Sequence, residues 1–300
     1  MKNSVEQIGK RHINCIAHPS SEGRLLLGDE YSAVIDCGMA FCAADTINNI
    51  KRNLNGRPLD YIFITHTHYD HIGALPYFRG EWPDARLAAT AVGAEVLLKA
   101  TPRRVIREYS AAAAEYYGYE LSARDLNDET FFTGAFHADL IIGDGESVRL
   151  GGISITALET PGHTRDSVSY CVPELELLML NETPGVLMPD GTMNPCYLTG
   201  YKDTLDSIEK LRRVYGAVLS LPHRGIIGED ETVDFFDRAL DMNTTCHDFI
   251  ASLHKRGLCK EDIVKSFCEK YVSDVILSLQ PMIAFEANAK AIVACTIREL

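Results

Sequence analysis

Thr65-His66-Thr67-His68-Tyr69-Asp70-His71-Ile72-Gly73 follows directly on the apolar run Tyr61-Ile62-Phe63-Ile64. Three histidines and an aspartate fall within the six positions 66–71. A strand that ends in a burst of imidazoles packs poorly and binds divalent cations well, because a metal of borderline softness takes neutral imidazole and carboxylate. In His-x-His-x-Asp-His, alternate residues His66 and His68 can point the same way while Asp70 and His71 turn towards a second position. The stretch therefore predicts the first half of a two-metal hydrolytic site.

Four ligands cannot complete two metals, so further donors are required near other strand ends. Gly162-His163-Thr164 follows the apolar run Ile153 to Leu158. Asn181-Glu182-Thr183 follows Leu175 to Leu180, and Pro222-His223-Arg224-Gly225 follows Ala217 to Leu221. Each lands where a ligand is needed. No serine or cysteine stands in a nucleophile-elbow motif. The chemistry predicted is that of cations which acidify a shared water to hydroxide and polarise a carbonyl or phosphoryl oxygen, with Asp70 orienting that hydroxide as the catalytic carboxylate.

These motifs resemble those of the metallo-β-lactamase superfamily. Thr65 to Gly73 matches its His-x-His-x-Asp-His motif, Thr160-Pro161-Gly162-His163-Thr164 its second histidine motif and Pro222-His223-Arg224-Gly225 its last. Asp36-Cys37-Gly38 is similar to its early strand-end aspartate motif, a position behind the ligands; an ordinary turn aspartate is the other reading. The resemblance spans residues 10–225. It implies an α/β fold, a four-layer αββα sandwich, over residues 1–228, followed by a helical C-terminal extension over 229–300. It implies that His66, His68 and His163 hold one metal and Asp70, His71 and His223 the other. The metals would be zinc first, with iron or manganese as alternatives. A carboxylate bridges the metals in the family, usually an Asp after a Gly; this chain has Asn181-Glu182. Glu182 has the right charge and place, but its extra methylene moves the carboxylate by ~1.5 Å, leaving a bridge, a single-metal ligand or a water bridge open.

His71-Ile72-Gly73-Ala74-Leu75-Pro76-Tyr77-Phe78 and the helical tail look most like the glyoxalase II and quinolone-signal thioesterase branches. That resemblance implies hydrolysis of a thioester or ester. Phosphodiester hydrolysis is the rival activity, and a metal-binding regulatory protein the rival class.

Bulk properties fit a soluble enzyme acting on a small molecule: 300 residues, 46% hydrophobic, net charge −13. The acidic balance argues against nucleic acid, which needs clustered Lys and Arg, and against an anionic membrane surface. Met1 to Ser20 has no apolar stretch of signal-peptide length, which predicts a cytoplasmic protein. Nine cysteines without a CxxC pair predict free thiols.

Strands are predicted at 13–17, 24–27, 31–35, 61–64, 86–89, 140–142, 147–150, 153–158, 168–172, 175–180 and 217–221. Turn chemistry is expected at Ser20-Ser21-Glu22-Gly23. Helices are predicted at 43–53, from 74, over 92–118 with Thr101-Pro102 as a cap dividing it, and at 203–215. From Glu231 onward the pattern is helical, with breaks near Gly257 and Gln280-Pro281. The tail's Phe235, Phe236, Leu240, Phe249, Ile250 and Leu253 imply a buried face, against the core, over the cleft or in a homodimer. The polar tract Ser122 to His137 is a candidate border of the site, and Tyr197 with the loop Met188 to Tyr201 a candidate lining. Arg103, Arg104 and Arg107 form either an anion-binding patch or a solvated helix face. His12, His18, His137, His247 and His254 have no matching partners and read as surface or cap residues.

Overall fold

The computed structural model describes residues 4–8, 10–18, 21–121, 134–214, 216 and 218–300. Seven strands form one sheet in chain order: β1 (Ser4–Ile8), β2 (His12–His18), β3 (Ser21–Leu27), β4 (Ser32–Ile35), β5 (Tyr61–Phe63), β6 (Arg86–Ala89) and β7 (Leu140–Ile141). β1 to β4 pair antiparallel through short connections. β4 to β7 run parallel, which requires crossovers. These contain α1 (Ala43–Leu54), α2 (Tyr69–Ile72), α3 (Leu75–Glu81), α4 (Ala91–Leu98) and α5 (Ala100–Tyr116).

The second sheet holds β8 (Ser147–Arg149), β9 (Ser154–Glu159), β10 (Val168–Val172), β11 (Leu177–Met179), β14 (Val218–Leu221) and β15 (Gly225–Ile227), in the order β15-β14-β11-β10-β9-β8. β11 and β14 are parallel across α6 (Tyr201–Arg212). A small hairpin, β12 (Val186–Leu187) and β13 (Met193–Asn194), lies between them in sequence.

Strand alternation sorts the side chains into three apolar layers. Leu25, Val34 and Ile62 pack outward against Ile47 and Ile50 of α1 and Phe78 of α3. Leu26, Ile35 and Phe63 point inward against Ile155, Val168, Tyr170 and Met179. Leu178, Leu180, Leu219 and Leu221 pack outward again, against Leu211 of α6 and Phe235. The result is helix, sheet, sheet, helix. The C-terminal region is helical: α7 (Glu229–Thr232), α8 (Phe235–Lys255), α9 (Lys260–Tyr271), α10 (Asp274–Leu279) and α11 (Met282–Glu299). Ile250, Phe267, Phe285, Ile292 and Val293 gather there around a core of their own, joined by Met188 and Tyr197.

Several local expectations are corrected. Ser21-Glu22-Gly23 lie inside β3, because Glu22 and Gly23 pair with Ile16 and Cys15 of β2 and turn chemistry yields to the ladder. The long helix breaks at Lys99, so Thr101 sits in the first turn of α5 and does not cap it. A further break at Val272–Ser273 separates α9 from α10, whose Ser273 side chain accepts from the Ile276 amide. His12 is fully buried rather than a surface residue, since it alternates on β2 opposite Leu26; burial and nearby Arg24 push its imidazole down to about 3. Tyr197 is also fully buried, its hydroxyl 3.0 Å from Thr296 Oγ1 in the tail core. Within the polar tract Ser122 to His137, residues 122–133 lie outside those described. All nine cysteines are free thiols, and no helix among the described residues is long and apolar enough to cross a membrane.

One fully buried guanidinium ties the two sheets together. Arg24 on β3 donates to Asp36 Oδ2 at 2.6 Å and, across the interface, to the carbonyls of Leu180 at 2.9 Å and Ser220 at 3.4 Å. Arg24→Met fills the volume but leaves a buried carboxylate unpaired, so it should destabilise the fold by about 3–5 kcal/mol. Urea unfolding at unchanged slope measures this; a loss below about 1 kcal/mol would mean that Asp36 is held by its other donors alone.

Candidate metal centre

Beyond Phe63 the chain leaves the sheet, and both of its flanks are clamped. The Thr65 amide donates to Asp36 Oδ1 at 2.8 Å, and the Val168 amide of the second sheet donates to the Thr65 carbonyl at 2.9 Å. Tyr170 donates to the Ile64 carbonyl at 2.7 Å. Held extended, the loop projects His66 and His68 to one side. The single turn of α2 then reverses direction and presents Asp70 and His71.

His163 is set by the glycine before it. Gly162 has φ +140°, and a Cβ there would lie 2.8 Å from Thr204 Cα, so only glycine lets the loop pass this close to α6. Glu182 is braced by both neighbours. Asn181 donates to Thr160 Oγ1 at 2.8 Å and accepts from the Thr183 amide at 2.7 Å, while Thr183 Oγ1 donates to the Thr160 carbonyl at 2.7 Å. The Glu182 and His163 loops are thus locked side by side. His223 occupies the left-handed region at φ 61°, as does Asp36 at φ 62°. A non-glycine residue is strained there unless its surroundings over-determine it. The His223 amide donates to Glu22 Oε1 at 3.1 Å, from a strand 201 residues away in sequence.

All seven residues expected as ligands meet at one end of the sandwich. His66, His68 and His163 form one group and Asp70, His71, Glu182 and His223 another, each with donor atoms within 4.8 Å of one another. His68 Nδ1 faces His163 Nε2 at 3.0 Å. Glu182 reaches both groups. Its Oε1 lies 2.6 Å from His71 Nε2 and 2.8 Å from His223 Nε2, and its Oε2 lies 3.5 Å from His66 Nε2 and 3.8 Å from His163 Nε2. Asp70 Oδ2 stands 3.6 Å from His223 Nε2 and 3.8 Å from His71 Nε2.

The far ring nitrogens of His71, His163 and His66 are tethered, which sets how these three imidazoles face inward. His71 Nδ1 lies 3.0 Å from Asp36 Oδ2, His163 Nδ1 2.8 Å from the Cys196 carbonyl and His66 Nδ1 3.1 Å from Thr65 Oγ1. Burial pushes His66 well below its usual range, lowers His68, and brings His163 down to about 4. These three keep free lone pairs. Burial opposes charge on His71 and His223 too, but Glu182 and Asp36 with Asp70 overcome it at His71, and Glu182 and Asp70 at His223, raising both. Burial likewise opposes charge on Glu182, yet His71, His66 and the His223 hydrogen bond hold its carboxyl well below the ordinary range. An ionised carboxylate ringed by imidazoles is the result.

The cluster floors a cavity of about 440 Å³. Val105 and Ile106 of α5 form one wall, Val186, Met188 and Leu198 a second, and Leu279 with one face of α11 a third. Met188 and Leu198 belong to the loop expected to line the cleft, whereas Tyr197 between its neighbours turns away. Arg103 donates to the carbonyls of Leu97 and Leu98 at the end of α4, and Arg104 pairs with Glu108, as on an ordinary helix face. Sequence reasoning missed Glu22 and Arg24 as supports. Their signal was two charged residues two positions apart on a strand whose other members are small or apolar, hence on one face.

Comparison with known proteins agrees with this geometry. The metallo-beta-lactamase superfamily profile matches residues 25–215. The probable metallo-hydrolase YqgX of Bacillus subtilis is 27% identical over 203 residues, 67% of this chain and 80% of that protein. A hydroxyacylglutathione hydrolase of Bartonella quintana is 29% identical over 164 residues, 53% of this chain and 47% of that protein, so the chain spans only about half of its length. Among solved structures, the sec-alkylsulfatase Pisa1 from Pseudomonas sp. superposes with a TM-score of 0.66 at 15% identity, over 99% of this chain and 50% of that one. The profile match over well more than half the sequence, on a helix-sheet-sheet-helix sandwich with its histidines at one end, shows that the chain belongs to the metallo-beta-lactamase superfamily.

Proposed function

We propose that this protein is a hydrolase that holds two divalent cations and cleaves an ester or thioester. The observation that carries this is Glu182, a buried carboxylate with one oxygen facing each of two histidine groups. The donor set fits cations. His66 Nε2 and Glu182 Oε2 are buried without a hydrogen-bond partner, and such orphans are costly unless a ligand satisfies them. His66, His68 and His163 would hold one ion, Asp70, His71 and His223 the other, with Glu182 between them. Imidazoles with two carboxylates suit zinc first, then iron or manganese. Bound there, the pair supplies Lewis-acid polarisation and a water acidic enough to react near neutral pH.

The chain's own groups do the rest. Asp36 holds the His71 ring through Nδ1 and leaves Nε2 directed inward. Asp70 is the more exposed of the two carboxylates and lines the cavity, so its Oδ2 can orient the attacking water and accept its proton. Hydrolysis places the water oxygen on the acyl carbon, breaks the acyl C–S or C–O bond, and delivers a proton to the leaving thiol or alcohol. The ester class rests on similarity to a relative whose name states hydrolysis of a glutathione thioester.

Zinc-loaded protein should hydrolyse thioesters and esters but not phosphodiesters, and His68→Ala should lower kcat/KM at least a hundredfold. Full activity in His68→Ala would overturn the metal mechanism. Elemental analysis should find about two equivalents per chain. Glu182→Gln should retain about one, because a neutral amide no longer offers a charged oxygen to each ion; two tightly held ions in that variant would remove Glu182 from the bridge.

A further inference from the structure

The walls of the cavity differ in kind from its floor. α11 carries two faces. Phe285, Ala289, Ile292 and Val293 point into the helical core, while Ala284, Ala287, Asn288 and Ala291, spaced three, four and seven residues along, face the cavity. The large residues are spent on packing and the small ones leave room. Across the gap, α5 presents Val105, Ile106 and Tyr109. No Lys or Arg among the described residues lines the cavity. An anionic group entering it would lose its water and find no Lys or Arg among the described residues of these walls to pair with.

Asn194 on β13 is 8% exposed and lines the cavity, and its Oδ1 is buried without a hydrogen-bond partner. Apolar walls with a few placed polar groups are how proteins bind and orient a mostly apolar molecule, and 440 Å³ falls within the ordinary size range of such sites.

We infer that the cavity selects an uncharged, largely apolar acyl chain, with Ala287 and Ala291 of α11 setting the length it accepts. The acyl carbon rests on the histidine floor and the chain runs between α5 and α11. This rests on the hydrolase reading for its chemistry, but not for its binding. A residue with a longer side chain at position 287 or 291 would occupy the space that the chain takes.

The test uses zinc-loaded protein and the N-acetylcysteamine thioesters of acetate, butyrate, hexanoate and octanoate, with the adipyl thioester as a tail-charged match for hexanoyl. kcat/KM should rise about tenfold for each pair of methylenes until the chain meets α11, and the adipyl compound should fall about a hundredfold below hexanoyl. Ala287→Leu should cut the octanoyl-to-acetyl ratio about tenfold. Both alanines are part-exposed towards the cavity, so Ala291→Leu is a second variant should the first fail to fold. A flat length series, or adipyl equal to hexanoyl, overturns the inference. Titration calorimetry provides a readout without turnover. Methyl hexyl ketone should bind at least about tenfold more tightly than methyl ethyl ketone, and Ala287→Leu should abolish that difference. Ketone selectivity without hydrolysis of any ester or thioester would sink the proposed activity and leave the cavity inference standing. Hydrolysis with no ketone selectivity would do the reverse.

Discussion

The structure depends on the burial of one carboxylate. Asp36 is 2% exposed, in a left-handed backbone conformation at the end of β4. Taking an ion of this size out of water costs several kcal/mol unless its lone pairs are filled. Here they are filled by the Arg24 guanidinium, the Thr65 amide and hydroxyl, and His71 Nδ1. Each partner belongs to a different part of the frame: β3, the loop beyond β5, and α2. Arg24 in turn grips the carbonyl of Leu180, two residues before Glu182, and that of Ser220, three before His223. Satisfying Asp36 therefore aligns the strand ends that carry six of the seven clustered side chains. Closure of the sandwich and geometry of the site are one constraint.

Glu182 shows what that alignment is for. Side chains that merely packed would not gather five imidazoles about two carboxylates, with His68 Nδ1 hydrogen-bonded to His163 Nε2 at 3.0 Å. Nor would they leave an ionised carboxylate to share protons with two raised imidazoles. Ligands to a cation must shed protons, and the burial that lowers His66, His68 and His163 has already removed theirs. On the assignment proposed above, a cation in each group relieves the crowding that the fold imposes. The added methylene of glutamate is then no defect, since it lets one side chain span both groups.

The parts legible in the sequence are those that act locally. His66, His68, Asp70 and His71 lie in one loop, and His163, Glu182 and His223 each follow an apolar run that the second sheet requires. The strand–loop periodicity therefore placed all seven at strand ends, whereas the layered fold was implied by the resemblance of those motifs to a known superfamily. What was not legible is what depends on partners far away in the chain. Ser21-Glu22-Gly23 has the composition of a turn, yet β2 pairs with it and His223 lies against it. His12 looks like a surface histidine until pairing opposite Leu26 of β3 puts it on the inward face of its sheet. Thr101-Pro102 has the form of a helix start, but the chain had already begun the helix at Ala100 after Lys99 broke the previous one. Tyr197 and its neighbours alternate, and no local signal says which of them faces the cleft.

The helical tail follows the same logic from the other direction. Its breaks at Gly257 and Pro281 are chemical and were readable; Gly257 takes φ +86° and Pro281 has no amide to give. The use of its faces was not, because α11 is apolar on both. A helix that is apolar all round is usually buried all round. The distinction lies in volume: Phe, Ile and Val on one side, three alanines and an asparagine on the other. Large side chains exclude space and alanines leave it, so the helix that completes the tail's core by one face shapes the cavity by the other. The floor is built from side chains carried at the strand ends of the sandwich, whereas the α11 wall comes from side chains that support no strand. A change of alanine on α11 would therefore alter what enters while leaving Asp36, Arg24 and the alignment of the strand ends in place.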